Sequence, residues 1–135
     1  MSKPIKAIFF DIGETLGHVD LPTKTLEVFP PMRDLLQTLT TIFHAPMGVI
    51  TDIPDDWTTD DVRTLLDQAG VLAFFDLRGI ITSKDAGHGK GEGPEIFQFA
   101  ASKLQVEAAA CFFTDDNPQN VKNACAAGMS AIQTP

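Results

Sequence analysis

At 135 residues the chain has the length of one domain, taking about 150 residues per domain. With 44% apolar and 21% charged residues it has the makings of a buried core, and neither a disordered nor a fibrous class fits. Eighteen acids against ten bases give a net charge of −8, which argues against an anionic membrane surface and against nucleic-acid binding driven by phosphate neutralisation. No apolar run approaches the ~20 residues of a membrane span.

In chain order, Ile5–Phe10 is an apolar run that ends in Asp11 and a glycine-containing turn, and it reads as a buried strand. Residues 12–31 carry no strong period. Met32, Leu35, Leu36, Leu39, Ile42 and Phe43 fall at helical spacing behind Pro30-Pro31, and proline suits a helix start. Met47–Thr51 reads as a second strand. Beyond an acidic loop, Val62, Leu65, Leu66 and Ala69 mark a helix with Gly70 as its cap. Leu77–Thr82 reads as a third strand. Lys84–Gly93 (KDAGHGKGEG) has four glycines and reads as a loop without regular structure. A helix then runs from Pro94 to about Leu104, and Ala110–Thr114 reads as a fourth strand. Asn117-Pro118 reads as an N-cap and first-turn proline, with Val121, Ala124 and Cys125 on that helix's apolar face and Gly128 closing it. Ser130–Gln133 is a short last strand.

Strands alternating with helices predict an α/β fold, a doubly wound, three-layer, Rossmann-like parallel sheet in one domain spanning 1–135. Ligands of such sheets sit at the carboxyl ends of the strands, where strand order reverses. The residues that follow the strands are therefore the informative ones: Asp11, Thr51, the lysine-bearing loop with Lys84 and Lys90, and Asp115-Asp116. They form a coherent set. Asp11 offers a nucleophile or metal ligand. Thr51 offers a hydroxyl, and Lys90 or Lys84 a positive charge. Clustered acids repel one another, and a hard cation such as Mg²⁺ removes the repulsion. Together these groups suit a phosphoryl group. Taken singly, an Asp after a strand is more often a turn former or cap.

The order of these motifs resembles the haloacid dehalogenase (HAD) superfamily, whose commonest members are Mg²⁺-dependent phosphatases. That family's first motif is an apolar strand followed by Asp-x-Asp-x-Thr, matched by IFFDIGETL with Asp11 and Thr15. Its second is a strand ending in Thr or Ser, matched by GVIT at Thr51. Its third is a lysine before a helix, matched by Lys90 and Pro94-Glu95-Ile96-Phe97. Its fourth is a strand ending in acids, then a helix closing on Ala-Gly-Met, matched by FFTDDNPQNVKNACAAGM. The resemblance spans Ile5 to Gln133. It implies that Asp11 attacks phosphorus to form an aspartyl-phosphate, which water hydrolyses. Mg²⁺ would be held by Asp11, the backbone carbonyl of Gly13, Asp115 and Asp116, while Thr51 and Lys90 bind the phosphoryl oxygens.

Three departures matter. Gly13 stands where most phosphatases of the family carry a second Asp as general acid and base, a role worth about 10²–10⁴-fold. Its loss points to substrates with good leaving groups, or to a feeble or inactive domain that works as a binding or regulatory module. Glu14 is adjacent but points elsewhere on an extended segment. The lysine loop reads Lys90-Gly-Glu-Gly-Pro94, longer than the family's usual Lys-Pro-x-Pro, so Lys90 is expected to be poorly fixed and Lys84 is a rival. No cap domain fits in the 39 residues between Asp11 and Thr51 or the 38 between Thr51 and Lys90. Capless relatives act on macromolecules or form homo-oligomers in which a neighbour covers the site, and either suits this chain.

The acidic stretch Asp52–Asp61 reads as a solvated loop with helix caps. Lining the site, it would repel polyanions, so DNA and RNA ends are not expected substrates. Trp57 within it reads as a packing residue. His88, two residues from Lys90, is within reach of a proton-transfer role. Metal-free dehalogenation is disfavoured by the 115–116 acid pair. A receiver domain is excluded by motif order, because its acid pair comes at the first strand. Cys111 and Cys125 read as two reduced, buried thiols, the N-terminal apolar stretch is too short for a signal peptide, and a cytoplasmic setting is expected.

Overall fold

The structure, a computed structural model, describes residues 4–134. Its centre is β1 (Ala7–Phe10), four residues that are all buried. Alternate side chains of β1 enter two different cores. Ile8 and Phe10 pack with Leu36, Val62, Leu65 and Leu66 on one face of the sheet, and Ala7 and Phe9 with Ile96, Phe97, Ala100 and Ala124 on the other. A strand covered on both faces reads as a continuous apolar run, which is why IFF precedes Asp11 without alternation.

Around β1 the sheet adds β4 (Met47–Thr51), β5 (Ile80–Thr82), β6 (Cys111–Asp115) and β7 (Ser130–Gln133), all parallel, in the order β5-β4-β1-β6-β7. Helices α1 (Pro30–Ile42) and α2 (Thr59–Gln68) cover the first face. Helices α4 (Glu95–Lys103) and α5 (Pro118–Ala126) cover the second. The chain builds outward from β1 through β4 to β5, then returns to the other side of β1 for β6. The carboxyl ends of β1 and β6 therefore flank the switch point. Pairing of Phe10 with Thr114 brings the next residues, Asp11 and Asp115, side by side. At Gly48 an added Cβ would lie 2.4 Å from the Gly79 carbonyl oxygen, so β4 needs glycine there. No helix among the described residues is long and apolar enough to cross a membrane.

Five expectations are corrected. Residues 12–31 hold an antiparallel hairpin, β2 (Gly17–Asp20) with β3 (Thr25–Val28). Each strand is four residues long and turns one or two side chains inward, Val19 and Leu26 among them, too few to leave a period. The strand expected from Leu77 begins only at Ile80, because the Asp76 carboxylate accepts the Arg78 N–H and curls 77–79 into a 3₁₀ turn. The loop 84–93 contains α3 (Ser83–Ala86), capped by the Thr82 hydroxyl and ended by Gly87 at φ +77, and a 3₁₀ turn at Lys90–Glu92. Cys125 is exposed, while Cys111 is buried, and both are free thiols. On α5 the inward positions belong to Asn120 and Ala124, one turn apart. Asn120 faces inward because its amide has a carboxylate to serve there.

Candidate active site

The residues after β1 set the first side chain. The Asp11 N–H donates to the Thr114 carbonyl, continuing the ladder one step past the strand. The Ile12 carbonyl then accepts the N–H groups of Thr15 and Leu16, and Glu14 takes φ +61, so the chain turns sharply. That turn aims the Thr15 hydroxyl at Asp11 Oδ2, 3.4 Å away. Glu14 faces away from the site and pairs with His18 on the exposed side.

Asp115 ends β6 fully buried. Its carboxylate accepts the Asn117 N–H at 2.9 Å and the Asn120 side-chain amide at 3.0 Å. Asn117 and Asn120 lie at the cap and first turn of α5, so the helix terminus holds this carboxylate in its ionised form.

Lys90 arrives from the 3₁₀ turn between α3 and α4. It is only 3% exposed, and its ammonium lies 2.5 Å from Asp11 Oδ1 and 2.9 Å from Asp115 Oδ2. The glycine-rich segment does not leave it loose. The Lys90 N–H donates to Asp52 Oδ1, the Lys90 carbonyl accepts from the Asn123 amide, and the Gly89 N–H donates to Glu92. The rival lysine is elsewhere. The Lys84 ammonium donates to the Asp55 and Trp57 carbonyls and ties down the acidic loop. His88 is half exposed, 3.8 Å from Glu92. It lines a separate depression with Lys84 and Gly87.

One ammonium between two buried carboxylates can neutralise only one of them. Asp11 is raised to about 7 overall, with burial the largest cause. Lys90 pulls it down, and the Asp115 charge pushes it up again. Burial also acts to raise Asp115, but Lys90 and its N–H donors outweigh it and hold it below the usual carboxylate range. The difference lies in the donors, since Asp115 has two amide N–H groups besides the lysine and Asp11 has one long hydroxyl contact. Burial acts to lower Lys90, and the two carboxylates outweigh that and raise it, so it stays charged. Asp116, half-buried, is raised by burial and by Asp115.

Carboxylate oxygens of Asp11, Asp115 and Asp116 all lie within 4.8 Å of one another. A set of three hard oxygen donors with surplus negative charge fits a divalent cation such as Mg²⁺. Asp11, Gly13, Thr51 and Lys90 line the polar end of one cavity of about 250 Å³. The Thr51 hydroxyl donates to the Asp52 carbonyl. Gly13 leaves open space, because a Cβ there would meet nothing nearer than Val19 Cγ2 at 4.0 Å.

The other walls of the cavity are apolar, with Val19 and Leu21 from the hairpin and Ile53, Trp57, Val62 and Leu65 from the acidic loop and α2. Lys24, in the hairpin turn, spans the two sides. Its ammonium lies 3.2 Å from Asp61 and 5.5 Å from the centre of the Trp57 ring. Asp61 also completes a capping box with Thr58, and Asp60 pairs with Arg63, so part of the acidic stretch serves helix α2. Sequence reasoning missed Asp52, Asn120 and Asn123, which fix Lys90 and Asp115. Asp52 follows Thr51 directly, and Asn120 lies three residues after the Asn117 cap. Those positions were the available signals.

No protein-family model matches the chain, and no curated protein matches it either. Among solved structures it is similar to a HAD-superfamily hydrolase from Ehrlichia chaffeensis (17% identity, TM-score 0.72, covering 98% of this chain and 87% of that one). It is similar to the L-2-haloacid dehalogenase from Xanthobacter autotrophicus with chloropropionic acid covalently bound (14%, TM-score 0.77, covering 96% and 77%). It is also similar to a 2-haloacid dehalogenase from Pseudomonas syringae (26%, TM-score 0.62), of which it covers 80% of its own length but only 41% of the other chain. The central parallel sheet, its flanking helices and these likenesses together show that this chain has the fold of the haloacid dehalogenase-superfamily hydrolases.

Proposed function

We propose that the protein is a Mg²⁺-dependent phosphoryl hydrolase that works through an aspartyl-phosphate on Asp11. The observation that carries this reading is the convergence of three carboxylates and one buried ammonium at the carboxyl ends of β1 and β6. Asp11, Asp115, Asp116 and the Gly13 carbonyl would hold the cation, which supplies charge neutralisation for a dianionic phosphoryl group beside a carboxylate. Lys90 gives the phosphoryl oxygens a fixed positive charge, and Thr51 offers them a hydroxyl. Asn117, Asn120 and Thr15 hold the carboxylates in place. The Asp11 oxygen forms the new bond to phosphorus as the leaving oxygen departs with the bonding pair. Water then takes the phosphoryl group and returns Asp11 to its carboxylate.

The substrate on this reading is a phosphorylated compound other than a nucleic acid, since Asp52 stands on the cavity wall and Asp55 beside it. Two free thiols are compatible with a reducing, cytoplasmic setting. A second reading, displacement of halide from a haloacid, draws support from the apolar walls beside Asp11 and from the dehalogenases among the structural neighbours. It is the weaker one, because a departing halide anion would face three carboxylates. Turnover of p-nitrophenyl phosphate and acetyl phosphate, with Mg²⁺ and with chelator, beside Asp11→Asn, tests the proposal. Metal-dependent phosphate release lost in the variant supports it. Chloride release from 2-chloropropionate without metal favours the second reading. No turnover and no Mg²⁺ binding by calorimetry point to a binding or regulatory module.

A further inference from the structure

We propose that the apolar half of the cavity beside Asp11 receives the leaving group, and that the substrate is an aryl phosphate whose leaving group seats one aromatic ring there. This rests on the phosphoryl-hydrolase reading of the same site and narrows it. Three independent features of the chain lead there.

The first is shape and lining. The cavity is continuous from Asp11, Thr51 and Lys90 to Val19, Leu21, Trp57 and Leu65, and measures about 250 Å³. An apolar cavity of about 150 Å³ suffices for benzene. The space next to the carboxylate therefore admits an aromatic ring as well as a phosphoryl group. Ionised groups meet the cavity at its Asp11–Lys90 end and at the exposed Asp52, and the Val62 and Leu65 walls belong to the core. A sugar or polyol phosphate would bury hydroxyls against hydrocarbon there without partners.

The second is Gly13. A side chain at this position would have room, yet none is present, so no group there can protonate a departing oxygen. The leaving oxygen must carry away the bonding pair as an anion. A phenolic oxygen does so readily, with an ionisation near that of tyrosine at about 10. An alkoxide, whose parent alcohol ionises about as reluctantly as water, does not. In balanced form, Asp11 Oδ bonds to phosphorus as the bond between phosphorus and the aryloxy oxygen breaks and the aryloxide leaves with the bonding pair. Water then bonds to phosphorus, the Asp11–phosphorus bond breaks, and one water proton ends on the aryloxide. Aryl phosphate and water give phenol and inorganic phosphate.

The third is the hairpin. Lys24 fastens it to Asp61 and lies over the Trp57 ring, so the wall that carries Val19 and Leu21 is held against α2. The apolar half is a built recess and not the gap beneath a loose loop.

Trp57 is the only tryptophan in the chain and is 5% exposed on the cavity wall, which supplies a binding signal independent of turnover. The test titrates Trp57 fluorescence with phenylphosphonate, methylphosphonate and inorganic phosphate, in the presence of Mg²⁺. Phenylphosphonate is expected to bind at least about ten-fold tighter than methylphosphonate. Leu21→Ser, which removes apolar wall at an exposed hairpin position without adding charge, is expected to shrink that preference by lowering phenylphosphonate affinity more than methylphosphonate affinity. In parallel, p-nitrophenyl and phenyl phosphate should be turned over and glycerol phosphate should not. Equal affinities for the three probes, or equal turnover of aryl and glycerol phosphates, overturn the aryl proposal and leave the hydrolase reading standing. No binding by any probe and no turnover of any phosphate, acetyl phosphate included, overturn both.

Discussion

The two ends of the cavity are held by different forces. At the Asp11 end Lys90 and Asp115 are locked by partners of fixed geometry: Lys90 by two carboxylates, Asp115 by two amide N–H groups, and the Lys90 backbone by Asp52 and Asn123. At the Trp57 end, hydrocarbon surfaces meet across open space, and one lysine pins the hairpin. Directional bonds suit chemistry, where displacement by an ångström is costly. Non-directional apolar contact suits recognition, where shape need only be approximate. On the proposed function, changes at the first end should alter turnover and folding, and changes at the second should alter affinity.

The largest expected effect breaks the polar end. Asp11→Asn should lower p-nitrophenyl phosphate turnover by about 10⁴-fold or more while the protein stays folded, because it removes the nucleophile and no packing volume. In the absence of metal the variant should melt higher than the wild type, since a surplus buried carboxyl is gone. A scanning calorimeter shows the sign, and a lower melting temperature would contradict the electrostatics described for Asp11. Next comes Lys90→Ala, which strands two buried carboxylates. A loss of about 3–5 kcal/mol in urea unfolding is expected, and a loss below 1 kcal/mol would show that the ion pairs contribute little.

Gly13→Asp sharpens the comparison by adding an acid where the two ends meet. The open space around position 13 should admit it. Turnover of alkyl phosphates should rise by about 10²–10⁴-fold, with little change for p-nitrophenyl phosphate. Equal gains for both substrates would mean that leaving-group protonation is not what glycine removes. Lys84→Ala loosens the loop behind Trp57. Stability should fall by about 1 kcal/mol and phenylphosphonate affinity a few-fold, while kcat stays within about two-fold.

The smallest effect serves as a control outside the cavity. Arg78 holds the Asp76 carboxylate below its usual range through a side-chain hydrogen bond. Its stabilisation is present above the unfolded-state value and is lost as pH falls through the lowered folded-state value. Asp76→Asn should therefore cost up to about 1 kcal/mol at pH 7, with the difference from wild type vanishing in strong acid. A difference that grows toward acid would reverse the assignment.

Much of this arrangement was legible in the chain. Buried parallel strands announce themselves as apolar runs, so the residues that end β1, β4 and β6 could be picked out as candidates together. The glycine-rich run 84–93 misled, because glycine signals local freedom and says nothing of restraint by distant partners. Asp52 and Asn123, far from Lys90 in sequence, remove that freedom. The hairpin at 17–28 was invisible because four-residue strands with so few inward side chains leave no period.

The amino-acid sequence by itself determined the order of the five strands of the central sheet and of the four longer helices, the carboxylates and the lysine available to a site, and the glycine at position 13, since these follow from composition and local periodicity. Only the tertiary structure decided which lysine meets Asp11, that Asp115 rather than Asp11 has the better donors, and that an apolar recess opens beside them. Those outcomes depend on contacts between residues up to about eighty positions apart, and neither propensity nor periodicity carries information over such separations.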